Sequence, residues 1–122
     1  AGHWFGDGFS AEAVALAPAV DSPRQLLARY LAQAWGIDTP FPHHTLPESA
    51  ALTGCITDGV AYGLMPALQA DALLAAGTLV ELTPGKLHEL ALVWHAWNID
   101  TPFTRTLSEH IIASARRSLP QA

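Results

Sequence analysis

The stretch from Thr57 to Leu82, TDGVAYGLMPALQADALLAAGTLVEL, constrains this chain more than any other. Asp58-Gly59 is a turn signal that leads into the short apolar run Ala61-Tyr62-Gly63-Leu64-Met65. Pro66 stands where a helix should begin, since its fixed φ suits the first helical turn and its missing N–H is not needed there. Leu68, Ala72 and Leu73 follow at helical spacing, and Gly77 is placed to close the helix in a left-handed conformation. Thr78-Leu79-Val80-Glu81-Leu82 then resumes an extended pattern. A strand–helix–strand unit this short must fold its helix back onto its own strands.

The remaining segments repeat that alternation. Ser10 is a good N-cap for a short helix over 11–16, which Pro18 ends, and 19–21 is a short strand. Ser22-Pro23 reads as a cap and first-turn pair for a helix over 23–34, with Leu27, Tyr30, Leu31 and Ala34 on one face and Gly36 after it. FPHHTL (41–46) is a strand, and a helix over 48–57 follows with Leu52 and Ile56 inward and Gly54 at a close contact. Thr83-Pro84-Gly85-Lys86 is a turn cluster, 87–97 (LHELALVWHAW) is the longest strand candidate, and Thr101-Pro102 opens a final helix to about residue 119. Phe103, Leu107, Ile111 and Ala115 make its apolar stripe, and Arg116 and Arg117 complement the dipole at its end. AWGIDTPF (34–41) recurs as AWNIDTPF (96–103); without a third copy this is coincidence in turn chemistry and not a repeat architecture. Short strands alternating with helices predict an α/β fold with a largely parallel sheet. Ligands of such sheets sit beyond the carboxyl ends of the strands, where helix N-termini offer free N–H groups. The two junctions of that kind are Val20-Asp21-Ser22 and Leu46 to Ser49.

Composition narrows the function. Half the residues are hydrophobic and 14% are charged, as in a globular domain. A net charge of −5 argues against this segment carrying the main nucleic-acid surface. One cysteine, Cys55, excludes an internal disulfide framework, points to a reducing compartment and reads as a buried inert thiol. No apolar run is long enough to cross a bilayer as a helix, so no membrane partner is expected. The opening AGHWFGDGF has neither Met nor a signal peptide and reads as a chain entered mid-sequence, its aromatics lying on an apolar surface. The six histidines form no zinc pattern, and His43-His44 on a strand point to opposite faces, so neither a metal nor another cofactor is expected. P-loop, GxGxxG and GxSxG motifs are absent, as is a paired nucleophile and base, so the chain is not read as an enzyme. Glu48 and Ser49 admit two readings: a plain cap with a dipole-favouring carboxylate, or ligand contacts in which Ser49 and nearby N–H groups hold a carboxylate while Glu48 or Asp21 holds a cation.

From His44 onward the sequence resembles the effector-binding domain of LysR-type transcriptional regulators, in the ArgP/LysG branch that responds to basic amino acids. The resemblance is carried by HHTLPESAA, by the Gly59/Gly63/Pro66 frame, by the run from Leu74 to Leu82 with Thr83-Pro84-Gly85, and by LVWHAW before the last helix. Upstream, FGDGFSAEAVALAPAVD looks like the entry into the second regulatory subdomain of these proteins. The resemblance implies one lobe of a type 2 periplasmic-binding-protein-like fold. Residues 1–83 would be the second lobe, and 84–122 a return strand and helix belonging to the first. It also implies a cytoplasmic homo-oligomer that meets DNA only through a helix-turn-helix outside this chain. Effector contacts would come from Asp21, Glu48, Ser49, Ala61 and Tyr62. The branch usually has Ser where this chain has Glu48, and the added negative charge favours a basic amino acid such as lysine or arginine. The Leu92/Trp94 face and the Phe103/Leu107/Ile111 stripe would lack their usual partners, which predicts dimerisation or altered packing there. The competing reading is a lobe of an extracytoplasmic solute-binding protein, which shares the fold.

Overall fold

Asp21 decides where the first long helix begins. The computed structural model describes residues 4–47, 49–96 and 99–120. In it, helix α1 (Ala11–Leu16) starts at Ser10, whose hydroxyl accepts the Ala13 N–H at 3.2 Å, and strand β1 (Ala19–Asp21) follows. Helix α2 runs Leu26–Trp35, three residues later than the Ser22-Pro23 signal predicts. The chain first makes a turn, with the Gln25 N–H donating to the Ser22 carbonyl at 2.8 Å, and Gln25 enters the helix at a left-handed φ of 53° without capping it. The cap comes from the end of β1. The Asp21 carboxylate accepts N–H groups from Ser22 (2.7 Å), Leu27 (2.9 Å) and Ala28 (3.2 Å). A buried acceptor in that position satisfies the orphan donors of the first turn and complements the helix dipole.

Strand β2 (His43–Thr45) pairs with β1 in parallel, Ala19 opposite His43 and Asp21 opposite Thr45. Helix α3 (Ser49–Thr57) follows, then helix α4 (Ala67–Ala75) after Pro66. On the other side of β1, Tyr62 forms a single parallel bridge with Ala19; the Val20 N–H donates to the Tyr62 carbonyl at 2.9 Å and the Tyr62 N–H to the Pro18 carbonyl at 3.0 Å. The predicted strand over 61–65 therefore shrinks to one residue. Gly63 is what allows that approach, since a Cβ there would lie 2.8 Å from the Val20 carbonyl oxygen and 3.1 Å from Ile56 Cδ1. At Gly54, by contrast, a Cβ would meet open space, against the close contact expected there.

Two further predicted strands do not form. Gly77 closes α4 at φ 73°, as read from the sequence, but the next amides are spent on the helix: the Thr78 and Leu79 N–H groups donate to the Leu73 carbonyl at 2.9 and 3.3 Å. Residues 78–82 are thereby held as a helix-closing loop. Residues 87–96 form no helix or strand and carry no ladder among the described residues; the last predicted residue, Trp97, lies outside them.

The core gathers Val14, Ala17, Ala19, Leu27, Tyr30, Leu31, Ile37 and Tyr62 between α1, α2 and the sheet. Phe5 and Phe9 pack against it, Phe5 edge-on to Tyr62 at 5.2 Å and Phe9 tilted on Trp35 at 4.7 Å. The opening aromatics thus serve packing. Cys55 is a free, half-buried thiol on α3, less enclosed than expected.

By its contacts the chain divides into two compact units, Ala1–His88 and Glu89–Ala122. The first holds the sheet and core. The second contains helix α5 (Pro102–Ser118), opened by a capping box between Thr101 and Thr104 with Pro102 at its first position. The half-buried residues of α5 are Thr104, Ser108, Ile111 and Ala115, with Leu119 beyond, while Phe103 and Leu107 are 74% and 43% exposed. The seam therefore shares only Ile111 and Ala115 with the stripe read from the sequence. The Trp94 indole N–H donates to the Ser108 hydroxyl at 3.1 Å, on the half-buried side of α5. Leu92 and Trp94 remain exposed.

Candidate functional site

The parallel register sets the carboxyl ends of β1 and β2 side by side, with the Leu46 N–H donating to the Asp21 carbonyl at 2.9 Å before the chain enters α3. This is the strand-to-helix geometry in which a ligand meets a helix N-terminus. Ser49 is the first residue of α3 and lines a groove of about 470 Å³ with Ala50, Thr53, Gly54, Thr57 and Gln69 of α4. Ser49, Thr53 and Thr57 share one side of the helix because they are four residues apart. The Thr57 hydroxyl turns back and donates to the carbonyls of Thr53 (3.0 Å) and Gly54 (3.1 Å). The polar wall is thus formed by the Ser49 and Thr53 hydroxyls and the Gln69 amide, and among the described residues no charged side chain lines the groove.

The five residues singled out in the sequence fall into different surroundings. Ser49 lies on this groove, while Glu48, which precedes it, lies outside the described residues. Asp21 is 2% exposed and its carboxylate already accepts three backbone N–H groups, so it positions α2 and the β1 end and presents no open oxygen to a ligand. Ala61 is half-buried, its N–H donating to the Cys55 carbonyl at 3.3 Å. Tyr62 is buried beside β1, and among the described residues its hydroxyl has no hydrogen-bond partner. Burial pushes that phenol up to about 12, because the phenolate cannot be solvated there. Thr53 and Gln69 were not singled out. The four-residue spacing from Ser49 made Thr53 findable, whereas nothing local connects Gln69 to α3.

A second hollow of about 360 Å³ lies at the start of α2, among Gln25, Asp38, Phe41 and His43. Among the described residues, no group of three or more His, Cys, Asp or Glu is placed to hold a metal ion, and no helix is long and apolar enough to cross a membrane.

No family model matches the sequence. Among curated proteins the chain is similar to the HTH-type transcriptional regulator ArgP of Vibrio parahaemolyticus, 33% identical over 122 residues that make up 98% of this chain and 41% of that protein. It is 36% identical over 112 residues to the protein of the same name from Pseudomonas aeruginosa, covering 91% of this chain and 37% of the relative. Among solved structures it superposes on the crystal structure of ArgP from Mycobacterium tuberculosis with a TM-score of 0.76 and 25% identity, over 93% of this chain and 39% of that one. The chain spans about two fifths of the length of these relatives and corresponds to their C-terminal part.

Proposed function

We infer the role of this chain from one premise: along nearly its whole length it is homologous to the C-terminal part of the ArgP regulators of the LysR family. Its fold is the α/β fold of one lobe of a periplasmic-binding-protein-like domain, and its homologues are transcriptional regulators and not enzymes. The proposed function is the sensing of a small-molecule effector on behalf of a DNA-binding segment outside this chain. Residues 1–83 would form the second lobe of the sensor, and 84–122 the strand and helix that return to the first. The effector would lie between the lobes, and its preference for one lobe arrangement would change the geometry of a cytoplasmic homo-oligomer. The two curated relatives reported above are both named as transcriptional regulators, which favours this reading over a solute-binding protein of a transporter.

The likeness to ArgP regulators carries this proposal, and the α3 groove gives it a chemistry. The first amides of α3 and the Ser49 hydroxyl suit a carboxylate, and the uncharged wall of Thr53 and Gln69 suits an aliphatic or hydrogen-bonding chain. On this reading the Glu48 carboxylate would attract the cationic end of a basic amino acid, and Ala61 and Tyr62 would contribute as the resemblance implies. Asp21 would act from beneath, by holding α2 and β1. Titration calorimetry on the full-length protein with lysine and arginine tests the assignment. Micromolar binding that weakens about tenfold in Ser49→Ala is expected, a loss equivalent to one hydrogen bond to a charged group. Absence of heat with both amino acids would remove them as effectors, and unchanged affinity in Ser49→Ala would move the site away from α3.

A further inference from the structure

The Tyr30 hydroxyl sits at the centre of a polar cluster that the effector reading does not use. Tyr30 is buried on α2 at 4% exposure, yet its oxygen reaches the far segment of the first unit. It donates to the Lys86 carbonyl at 3.1 Å, lies 2.7 Å from the Thr83 hydroxyl and accepts the Trp35 indole N–H at 3.3 Å. A phenol has one proton, so with Lys86 as its acceptor the Thr83 hydroxyl must be the donor in the second contact. Its hydrogen-bonding capacity is then full: one bond given, two received. Lys86 closes the cluster from the other side. Its ammonium donates to the Ala34 carbonyl at 2.9 Å and stands 3.8 Å from the centre of the Trp35 ring, a cation–π geometry. His88 meets the edge of Tyr30 at 6.3 Å. Between these anchors Thr83-Pro84-Gly85-Lys86 forms a tight turn, with the Lys86 N–H donating to the Thr83 carbonyl at 3.1 Å and Gly85 at φ 77°.

The position of the cluster in the chain gives it a purpose beyond stability. The first compact unit ends at His88, directly after the anchored turn, and the next residues carry no ladder. Without the cluster, residues 83–88 would lose the hydrogen bonds that tie them to α2. We propose that the Tyr30 hydroxyl, with Thr83, Lys86 and Trp35, is a latch that holds residues 83–88 on α2 and so fixes the point at which the chain leaves its first unit. Tyr30 is a positioning residue in this role, and the proposal holds whatever the effector is.

Lys86 supplies its own assay, since trypsin cuts after lysine and must first draw this bond out of the latch. Limited tryptic digestion of the whole chain compares wild type with Tyr30→Phe, which keeps the buried ring, and with Thr83→Val, which touches the turn alone. Release of the 1–86 and 87–122 fragments is expected to speed up roughly five- to tenfold in each variant, as the loss of one or two half-buried hydrogen bonds to the turn requires. The double variant should add little to Tyr30→Phe, because that change already removes the bond to Thr83. Cleavage after Arg29, inside α2, should keep its wild-type rate. Unchanged cleavage at Lys86 in both variants, additive effects, or acceleration at Arg29 in step with Lys86 would each overturn the latch. The last of these would show general loosening of the unit.

Discussion

Eight residues occur twice in this chain with one difference, Gly36 against Asn98, and the two copies do opposite things. Ala34 to Phe41 ends a helix. Gly36 caps α2 at φ 65°, its N–H donating to the Ala32 carbonyl at 3.1 Å, and the Ile37 N–H donates to the Leu31 carbonyl at 3.0 Å, which turns Ile37 into the core. Ala96 to Phe103 starts a helix, and the described part of this copy leaves Ile99 59% exposed. Here the Thr101 hydroxyl accepts the Thr104 N–H at 3.2 Å, and the Asp100 carboxylate takes the Arg105 guanidinium at 2.8 Å. The flanking residues decide between these outcomes. Pro42 disfavours a helical Phe41 and offers no donor, so the first copy runs on into β2. Thr104 and Arg105 complete a capping box and an ion pair, so the second copy is drawn into α5. Identical turn chemistry thus takes its meaning from what the next three residues can bond.

The helices adjoining the two copies differ in the same way, and the largest effect is expected there. α2 is started by a buried carboxylate from another element, α5 by its own neighbouring threonine. Asp21→Ala would strand the Ser22, Leu27 and Ala28 amides at once and should cost about 4 kcal/mol, counting hydrogen bonds to a charged acceptor. Thr101→Ala at a half-buried cap should cost about 1 kcal/mol. Urea midpoints read by circular dichroism at the two substitutions distinguish these cases, and equal losses would mean that the remote cap is no stronger than the local one.

The isoleucines sharpen the contrast at matched chemistry. Ile37→Ala removes a core side chain and should destabilise the first unit by about 3 kcal/mol. Ile99→Ala removes an exposed one and should stay within about 0.5 kcal/mol in either direction. A comparable loss at both positions, seen in thermal unfolding, would show that the exposed face of the second unit is covered in solution, as the dimerisation expectation from the sequence requires.

The same contrast shows which features were legible in advance. Local signals were: Ser10 and Thr101 as caps, Gly36 and Gly77 as left-handed closures, and the Leu27/Tyr30/Leu31 face, because each depends on residues within one or two turns. Features that need a distant partner were not. The 78–82 and 87–97 alternations are good strand patterns, but a strand needs a neighbour, and the Thr78 and Leu79 amides bond α4 instead. Ser22-Pro23 is a sound helix start that lost to Asp21, whose carboxylate reaches Leu27 and Ala28 only once β1 is in place. The α3 junction was visible at Ser49, and its facing residue Gln69 came only with the fold.

Tyr62 offers the smallest and most particular test, since its polar atom is in the core and has no hydrogen-bond partner among the described residues. Tyr62→Phe removes an unpaired buried hydroxyl, so it should be neutral or stabilising by up to about 1 kcal/mol near neutral pH. The pH dependence carries more information. Burial raises the folded-state phenol from 10.0 to about 12, so the folded form holds its proton more tightly than the unfolded chain does. The resulting stability is complete below pH 10 and is lost as pH rises through that interval, when the unfolded phenol ionises first. Wild-type stability should therefore fall more steeply than that of Tyr62→Phe between pH 10 and 12. Parallel alkaline limbs would mean that the hydroxyl reaches water or a partner in solution. Tyr62 would then be available to a ligand, as its place in the candidate site requires, whereas diverging limbs would leave it a core residue that frames the site through its backbone alone.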